Sequence, residues 1–324
     1  MMRAVTLLAA YVLDRIIGDP RWLPHPVVGM GKCITWMEKG IRRWVPLSTP
    51  SAARMAGCLF PMILVGGVYG ITELLLFAAE RVSPYLALGL EILLIATTIA
   101  TKGLADAARG IYEALAFRRL DQARKQLSMI VGRDTEQLDE SEVVRGTVET
   151  VAENIVDAVT APLFYAAVGG APLALAYRAV NTLDSMVGYK DERYRDLGWA
   201  SARFDDLANW LPARLTILPM LAVFFLISGP SAVRRAWHTY RRDARRHPSP
   251  NSGIPEALMA GGLGIRLGGT NWYRGVPSHR AQMGEPVMPR RPEHIQAAIR
   301  VLFGTTWVYT GMLVLVSLLS DWVA

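Results

Sequence analysis

The chain has 324 residues, of which 52% are hydrophobic and 19% charged, and its formal net charge is +7. This composition is apolar for a soluble protein and polar for a pure transporter. Nucleic-acid binding is disfavoured because no recognisable nucleic-acid module accompanies the positive charge. Much of that charge lies in arginine pairs, which are typical of the cytoplasmic flanks of membrane helices: Arg234-Arg235, Arg241-Arg242 and Arg245-Arg246. The two cysteines, Cys33 and Cys58, form no paired motif and predict neither a disulfide framework nor a metal site.

The first apolar stretch, residues 4–17, is predicted to be a retained helix, because charged residues and Gly-Asp-Pro follow it in place of a clean signal-peptide cleavage site. Three prolines make the next segment, GDPRWLPHPVVGMGK, a rigid loop, and its tryptophan suits a membrane interface. Asp14, Asp19 and His25 are then polar groups at a fixed turn. We prefer a ligand-binding edge there, and a simple loop tip is the alternative. The GMGK sequence lacks the first glycine and the Ser/Thr of a P-loop.

Five further apolar segments follow: residues 56–79, 85–101, 160–180, 211–227 and 299–320. The first two and the last are long enough to span a bilayer. The other two are doubtful spans, because Gly169-Gly170-Ala171-Pro172 interrupts one, and two prolines and an arginine interrupt the other. We predict that both are re-entrant or membrane-embedded. Between these segments, residues 109–129 are predicted to form one amphipathic soluble helix.

An acidic stretch after residue 138 is predicted to form a helix. Asp139 suits the N-cap, because Glu142 follows three residues later in a capping-box pattern. At 100° per residue, Glu149, Glu153 and Asp157 stack on one face at i, i+4 and i+8. Their mutual repulsion predicts a cation such as Mg²⁺, or a basic partner, beside them.

The alternative interpretation of these acids is a solvated helix face with a nearby arginine as counter-charge. For Glu142 and Glu149 both interpretations stay open. For Glu153, Asn154 and Asp157 a functional role is favoured, because the apolar run begins immediately after them.

A second polar stripe lies farther along the chain. Tyr177, Asn181 and Asp184 are spaced i, i+4, i+7, with Arg178 alongside. Further charged residues follow, among them Lys190, Asp205 and Asp206. The glycine–proline break before this stripe would let two half-helices fold back and bring the two stripes together.

A basic segment before the final span combines a stiff turn, HPSPNSGIP, with a glycine-rich stretch. The turn contains Asn251, and a helix is predicted to begin near Glu256. The glycines are Gly261, Gly262, Gly264, Gly268 and Gly269. Backbone N–H groups at such glycines can cradle phosphate, although the spacing is neither Walker A nor G-x-G-x-x-G. We prefer phosphate or substrate contact, and close helix packing at Gly264 and Gly268 is the alternative.

Motifs for other chemistries are lacking in this sequence. The five histidines show no H-E-x-x-H spacing, and neither G-x-S-x-G nor a redox C-x-x-C occurs. Covalent catalysis through a side chain is therefore not indicated. Acidic and amide groups beside a glycine-rich stretch fit Mg²⁺-assisted phosphoryl transfer better.

Four blocks, in this order over nearly the whole chain, resemble the cobinamide-phosphate synthase family of cobalamin biosynthesis, CobD/CbiB: DRIIGDPRWLPHPVVGMGK, ETVAENIVDAVTAPLFYAAVGGAPLALAYRAVNTLDSMVGYK, RFDDLANWLPARL and HPSPNSGIPEALMAGGLGIRLGG. The resemblance implies an integral membrane enzyme. It implies ATP-dependent attachment of (R)-1-amino-2-propanol O-phosphate, or of the free amino alcohol, to the free propionate of adenosylcobyric acid, a corrinoid. The product would be adenosylcobinamide phosphate.

That reaction needs an activated carboxylate, usually an acyl phosphate, and a base for the attacking amine. The residues predicted to be catalytic are Glu153, Asn154, Asp157, Asn181 and Asp184. Those predicted to hold Mg²⁺ are Glu153, Asp157, Asp184, Asp205 and Asp206. Those predicted to contact substrate or phosphate are Asp14, Asp19, His25, Glu149, Arg178, Lys190, Asn251, Glu256, Gly261, Gly264, Gly268 and Gly269. A carboxylate pair could equally bind the corrinoid's amides.

The predicted fold is an all-α polytopic membrane domain with some broken or re-entrant helices. Its motif-bearing segments, residues 18–55, 102–159 and 228–298, are expected on the cytoplasmic side of the inner membrane, where ATP is found. The expected partners are adenosylcobyric acid, aminopropanol phosphate, ATP, Mg²⁺, the lipid bilayer and other enzymes of the B12 pathway, with no nucleic acid. A transporter, or a non-catalytic sensor or assembly subunit with this fold, is the alternative.

Overall fold

The computed structural model describes residues 2–18, 25–46, 48–189 and 191–323. Over these residues the chain forms helices and a single two-stranded hairpin. The helices are α1 Met2–Ile17, α2 Pro26–Trp44, α3 Pro50–Gly57, α4 Leu59–Val82, α5 Pro84–Ala96, α6 Thr101–Ala116, α7 Leu120–Ser128, α8 Glu140–Ile155, α9 Ala161–Val187, α10 Trp199–Ala208, α11 Trp210–Leu215, α12 Ile217–Asp243, α13 Gly253–Leu263 and α14 Glu293–Val323. A π-helical turn, Val156–Thr160, follows α8, and a 3₁₀ turn, Ala244–Arg246, follows α12. The strands are β1 Leu267–Tyr273 and β2 Val276–Met283.

Five helical stretches of the described residues are long and apolar enough to cross a bilayer: Pro50–Val82, Pro84–Ala116, Glu140–Val187, Trp199–Arg246 and Glu293–Ser320. They cover the last five of the six apolar segments predicted from the sequence. The first segment differs, because α1 has only 16 residues and a span needs about 20. The prediction of an all-α polytopic membrane protein is confirmed.

The chain divides into two compact units. Unit 1 comprises Met1–Ala100, Ala161–Asn209 and Met312–Ala324, and unit 2 comprises Thr101–Thr160 and Trp210–Gly311. Within unit 1, α9 packs against α4, α2 and α10 around a core that includes Ile34, Phe60 and Leu183.

The predicted break in α9 is present within unit 1. Gly169 and Gly170 depart from helical geometry, and Gly170 has φ 68° and ψ −160°, a conformation that only glycine adopts readily. A Cβ at Gly170 would also overlap the heads of Arg3 and Glu91, which form an ion pair at 3.1 Å. The break therefore brings the backbone of α9 close to polar groups from α1 and α5.

Residues 109–129 in unit 2 do not form the single amphipathic helix predicted from the sequence. α6 ends at Ala116 and α7 begins at Leu120. Arg118 between them has φ 56°, the left-handed conformation that ends a helix. Both α6 and α7 pack against α8, so each has an apolar face. The hydrophobic periodicity of the sequence therefore continues across the break and suggests a single helix.

The hairpin of unit 2 was not predicted. β1 and β2 pair antiparallel, and the turn residues Arg274 and Gly275 both have positive φ, 53° and 78°. Two such residues form the type I′ turn that matches the twist of a hairpin. The register shifts between Leu267 and Gly269, which is a β-bulge. A Cβ at Gly268 would overlap the carbonyl oxygen of Ala281 across this bulge.

A candidate acid–base site in unit 2

The helix α8 begins as predicted, since the Asp139 side chain accepts a hydrogen bond from the Glu142 N–H at 2.8 Å. The α-helix ends at Ile155, and Asp157 lies in the π-helical turn that follows. The predicted i, i+4, i+8 stack therefore holds for Glu149 and Glu153 only, because the wider turn changes the direction of Asp157. Single π-helical turns of this kind occur frequently at functional sites.

Glu149 is buried within a cluster of donors. Its carboxylate accepts from Arg133 Nη2 at 2.7 Å, from Arg145 Nη1 at 3.1 Å and from the Gly268 N–H at 2.8 Å. Arg133 and Arg145 both also donate to the side chain of Asn271 on β1. Glu149 is thus an anion with compensating partners, and it fastens the hairpin to α8. This arrangement favours the structural interpretation of Glu149, and its assignment to substrate contact stays a prediction.

Arg145 is the nearby arginine of the alternative interpretation, but it lies on a buried helix face and not on a solvated one. It is 1% exposed and forms ion pairs with both Glu142 and Glu149. Glu142 also accepts from Arg290 at 2.8 Å. Glu142 is therefore held in place by two arginines.

A second buried carboxylate, Glu256, has the opposite environment. It lies in the first turn of α13, is 1% exposed, and its Oε1 lies 3.5 Å from Nε2 of buried His247. Neither of these two atoms has a hydrogen-bond partner among the described residues. Burial, together with the charges of Glu153 and Glu149, raises the pKa of Glu256 well above its ordinary value. This environment therefore favours the protonated form of Glu256.

The neighbouring groups also shift the pKa of His247. Burial and the positive charge of Arg280 lower the pKa of His247 below its ordinary value, although the charges of Glu153 and Glu149 oppose this. Burial also disfavours the charged form of Arg280, yet Tyr273 and the acidic side chains around Arg280, among them Glu153 and Glu149, raise its pKa. The surroundings thus favour the neutral forms of Glu256 and His247 and the charged form of Arg280.

Glu153 and Asn154 lie on the half-buried edge of this cluster. The Asn154 side chain donates to the Thr150 carbonyl at 2.9 Å. Glu153 acts electrostatically on Glu256, His247 and Arg280, which come from three other segments of unit 2. The structure therefore brings together two residues that the sequence singled out, Glu153 and Glu256, with two that it missed.

The missed residues are His247 and Arg280. His247 opens the HPSPNSG turn, whose prolines indicated a rigid segment, so its position next to a motif was the one available signal. Asn251 in the same turn is buried and accepts from Arg214 Nη1 at 3.2 Å. The Arg214 guanidinium also lies over the Trp210 ring at 4.4 Å. Asn251 is therefore a positioned amide in unit 2.

The glycine-rich stretch does not form one loop. Gly261 and Gly262 lie within α13, where their lack of a side chain lets the helix approach α12, and Gly264 ends the helix with φ 67°. Gly268 and Gly269 belong to β1. The two sets line different cavities, because Gly261 and Gly264 border one of about 200 Å³ and Gly268 and Gly269 border one of about 540 Å³.

The larger of these cavities is basic on two sides, since Arg266 and Arg290 line it with Ser141 and Glu142. Its volume falls within the range of small-ligand sites, roughly 300–1,000 Å³. This cavity is large enough for a small phosphate-bearing ligand, and phosphate contact at Gly268 and Gly269 stays a prediction.

The second polar stripe lies in unit 1. Tyr177 donates to Asn209 Oδ1 at 2.8 Å, and Asn209 Nδ2 donates to Asp205 at 3.0 Å. Asp205 also lies within electrostatic range of Asp184 and Asp206 and is hydrogen-bonded by Asn181. Arg178 donates to Asn181 at 3.3 Å. The stripe and the Asp205 region therefore assemble within unit 1, and their predicted meeting with the α8 stripe stays a prediction.

The remaining predicted residues are placed as follows. Asp14 is buried in α1, and His25 is the N-cap of α2, where Nδ1 accepts from the Val27 N–H at 3.3 Å. Asp19 and Lys190 lie outside the described residues. His25 thus has a capping function, and its role at a ligand stays a prediction.

The described residues do not form a metal site made of protein ligands alone. Among the described residues, no three His, Cys, Asp or Glu side chains are placed to hold one ion together. Mg²⁺ on a nucleotide commonly takes one or two protein carboxylates, with phosphates and waters completing its coordination. The adjacent carboxylates of Asp184 and Asp205 fit that donor chemistry, because a cation would relieve their repulsion.

Comparison with known proteins gives one consistent result. The family model described as "CobD/Cbib protein" matches residues 7–302. The "Cobalamin biosynthesis protein CobD" of Halalkalibacterium halodurans is 48% identical over 319 residues, which are 98% of this chain and 97% of that protein. The protein of the same name from Geobacter metallireducens is 49% identical over 298 residues, 92% of each chain. The "Cobalamin biosynthesis protein CbiB" of Salmonella typhimurium is 43% identical over 315 residues, 96% of this chain and 97% of that one. No solved structure matches the chain.

Proposed function

The chain belongs to the CobD/CbiB family, and we propose that it catalyses the ATP-dependent amide ligation of cobalamin biosynthesis. The carboxylate is the free propionate of adenosylcobyric acid. The amine is (R)-1-amino-2-propanol O-phosphate or the free amino alcohol. The role in cobalamin biosynthesis follows from the family and from the names of its members, and the ligation chemistry is our proposal.

One observation carries the chemical part of the proposal. Two glutamates of unit 2, Glu149 and Glu256, are both almost fully buried. Glu149 forms ion pairs with two arginines, whereas burial and the charges of Glu153 and Glu149 outweigh the effect of Arg280 and Arg133 on the pKa of Glu256. A site that separates the charge states of its carboxylates can supply an acid and a base at the same pH. Glu153, one helical turn from Glu149, is the half-buried carboxylate that a substrate can reach.

Amide formation uses these groups in a defined order. ATP converts the propionate carboxylate into an acyl phosphate, and arginines neutralise the transferred phosphate. Arg266 and Arg290 at the 540 Å³ cavity, and Arg280 near Glu153, are the unit 2 arginines suited to that task. Glu153 then takes a proton from the substrate ammonium, which leaves a neutral amine to attack the acyl carbon.

The carboxylates of Asp184 and Asp205 within unit 1 would hold Mg²⁺, which when bound would supply positive charge there. Asn181, which hydrogen-bonds Asp205, would fix the orientation of that carboxylate. Because ATP is found in the cytoplasm, the proposed reaction faces that side of the inner membrane.

The decisive experiment uses the purified protein in detergent or nanodiscs. It is incubated with adenosylcobyric acid, aminopropanol phosphate, ATP and Mg²⁺, and product is sought by mass spectrometry. We expect adenosylcobinamide phosphate with equimolar ADP, and neither without ATP. Parallel reactions with free aminopropanol identify the amine substrate. No amide product with either amine would refute the ligase function and favour a sensor or transporter.

A further inference from the structure

We propose that Glu256 and His247 form a buried proton relay that carries the ammonium proton from Glu153 away from the amide-forming site. This inference rests on the proposed function. It assigns His247, which has no role in the site above, and gives Glu256 a role in proton movement in place of phosphate binding.

The geometry of the pair supports transfer between its two groups. Glu256 Oε1 and His247 Nε2 are 3.5 Å apart, and neither atom has a hydrogen-bond partner among the described residues. Burying a polar atom without a partner destabilises a protein, so the retention of two such atoms side by side calls for an explanation. A small closing movement would turn this separation into a hydrogen bond between the carboxyl O–H and the imidazole nitrogen.

The Nδ1 atom of His247 has a hydrogen-bond partner whether or not it carries a proton. His247 Nδ1 lies 3.1 Å from the Ser249 N–H and 3.2 Å from the Ser249 carbonyl oxygen. Nδ1 can therefore accept from the N–H when His247 lacks that proton, or donate to the carbonyl when it carries one. An imidazole held in this way can gain a proton at Nε2 and lose one at Nδ1 without rotating.

Charged groups face the pair from several elements of unit 2. Glu153 and Glu149 face the pair from α8, Arg280 faces it from β2, and Arg133 acts on Glu256 from the segment before α8. Since burial favours the protonated form of Glu256, we infer that a proton arriving from Glu153 at one carboxyl oxygen displaces the proton on Oε1 onto His247 Nε2. The burial and the Arg280 charge that lower the His247 pKa then favour release of the Nδ1 proton to solvent beside the exposed turn residue Pro248.

The proton balance of the reaction requires such a path. The C–N bond forms, and the C–O bond to the phosphate breaks with its electron pair passing to the phosphate oxygen. The ammonium loses two protons, one to the departing phosphate and one to Glu153. The relay returns Glu153 to its ionised form, ready for the next substrate.

Hydroxylamine provides a test that separates proton removal from carboxylate activation, because at neutral pH it is largely uncharged and attacks an acyl phosphate without a base. Purified wild type and the variants Glu256→Gln and His247→Asn are given adenosylcobyric acid, ATP and Mg²⁺, with either aminopropanol phosphate or hydroxylamine. For both variants we expect kcat for the amide to fall about a hundredfold, the range of general acid–base catalysis, while hydroxamate formation persists. The exposed His238→Asn serves as the control, and Glu256→Asp should regain part of the lost rate.

Equal loss of hydroxamate and amide would show that the pair is only structural, and unchanged amide formation would also overturn the relay. If wild type forms neither product, the proposed ligase function itself fails and the relay with it. If wild type forms amide but no hydroxamate, the pH profile of kcat decides. A profile whose limbs stay unchanged in Glu256→Gln refutes the relay, and a shifted or flattened limb supports it.

Discussion

The buried carboxylate of Glu149 is the position at which one isosteric change should destabilise unit 2 most. Glu149→Gln keeps the shape of the side chain but removes the charge that balances Arg133 and Arg145, which are 6% and 1% exposed at their side chains. Removing one partner from a buried ionic group costs roughly 3–5 kcal/mol, because in this variant Arg133 stays buried without a carboxylate partner while Arg145 keeps only Glu142. For a protein of this size we expect the melting temperature in detergent to fall by roughly 5–10 °C.

Two comparisons make this prediction specific. Glu140→Gln, an exposed change in the first turn of the same helix, should shift the melting temperature by less than about 2 °C. Combining Glu149→Gln with Arg133→Met should cost less than the sum of the single changes, because the second change removes an uncompensated charge. The reasoning is wrong if Glu149→Gln melts within about 2 °C of wild type, or if the double variant is simply additive.

Further predictions concern activity, acid stability and topology. Glu153→Gln and Asp157→Asn should each lower turnover at least about tenfold, near 1.4 kcal/mol, and near wild-type rates in both would remove them from the site. Gly264→Ala should raise KM for ATP or the aminoalcohol phosphate if the Gly264 backbone approaches phosphate. A loss of thermal stability alone would identify Gly264 as a helix cap, since alanine disfavours its φ of 67°. Burial raises the pKa of Glu38, but hydrogen bonds from Arg42 and Arg193 outweigh this and lower the pKa below 4.5. The stability that ionised Glu38 contributes is therefore present above pH 4.5 and is lost as the pH falls through the lower pKa of the folded state. Melting curves of Glu38→Gln recorded at acid pH should lack this loss. Residues 181–210 are expected on the cytoplasmic side, so Glu192→Cys in a cysteine-free background should resist an impermeant maleimide applied outside intact cells, and labelling there would refute that arrangement.

Local signals in the sequence were sufficient for several features of the fold. The Asp139 cap depends on two side chains three residues apart, and the α9 break depends on adjacent glycines, so each is decided within one or two turns. The apolar spans likewise follow from continuous composition. Features set by neighbouring residues could therefore be predicted.

The hairpin and the acid–base pair depend on contacts that no local pattern reveals. Most of β2 is exposed, so it lacks the alternation of buried and exposed side chains that identifies a strand. Nothing in the acidic stripe shows that Glu149 meets Arg133 and Gly268 whereas Glu153 stays half-exposed. Two carboxylates on one helix face look alike in sequence and differ only after the hairpin has packed.

The hairpin therefore links the stable part of unit 2 to its reactive part. Glu149 holds the Gly268 N–H, and the next residue, Gly269, pairs with Arg280 on β2. Arg280 is the cation that acts on Glu256 and His247. A change at Glu149 should consequently alter activity as well as stability, by moving Arg280 relative to Glu153. If Glu149→Gln lowers the melting temperature yet leaves kcat unchanged well below that temperature, the position of Arg280 does not matter for catalysis, and the charge pattern assigned to the site must be revised.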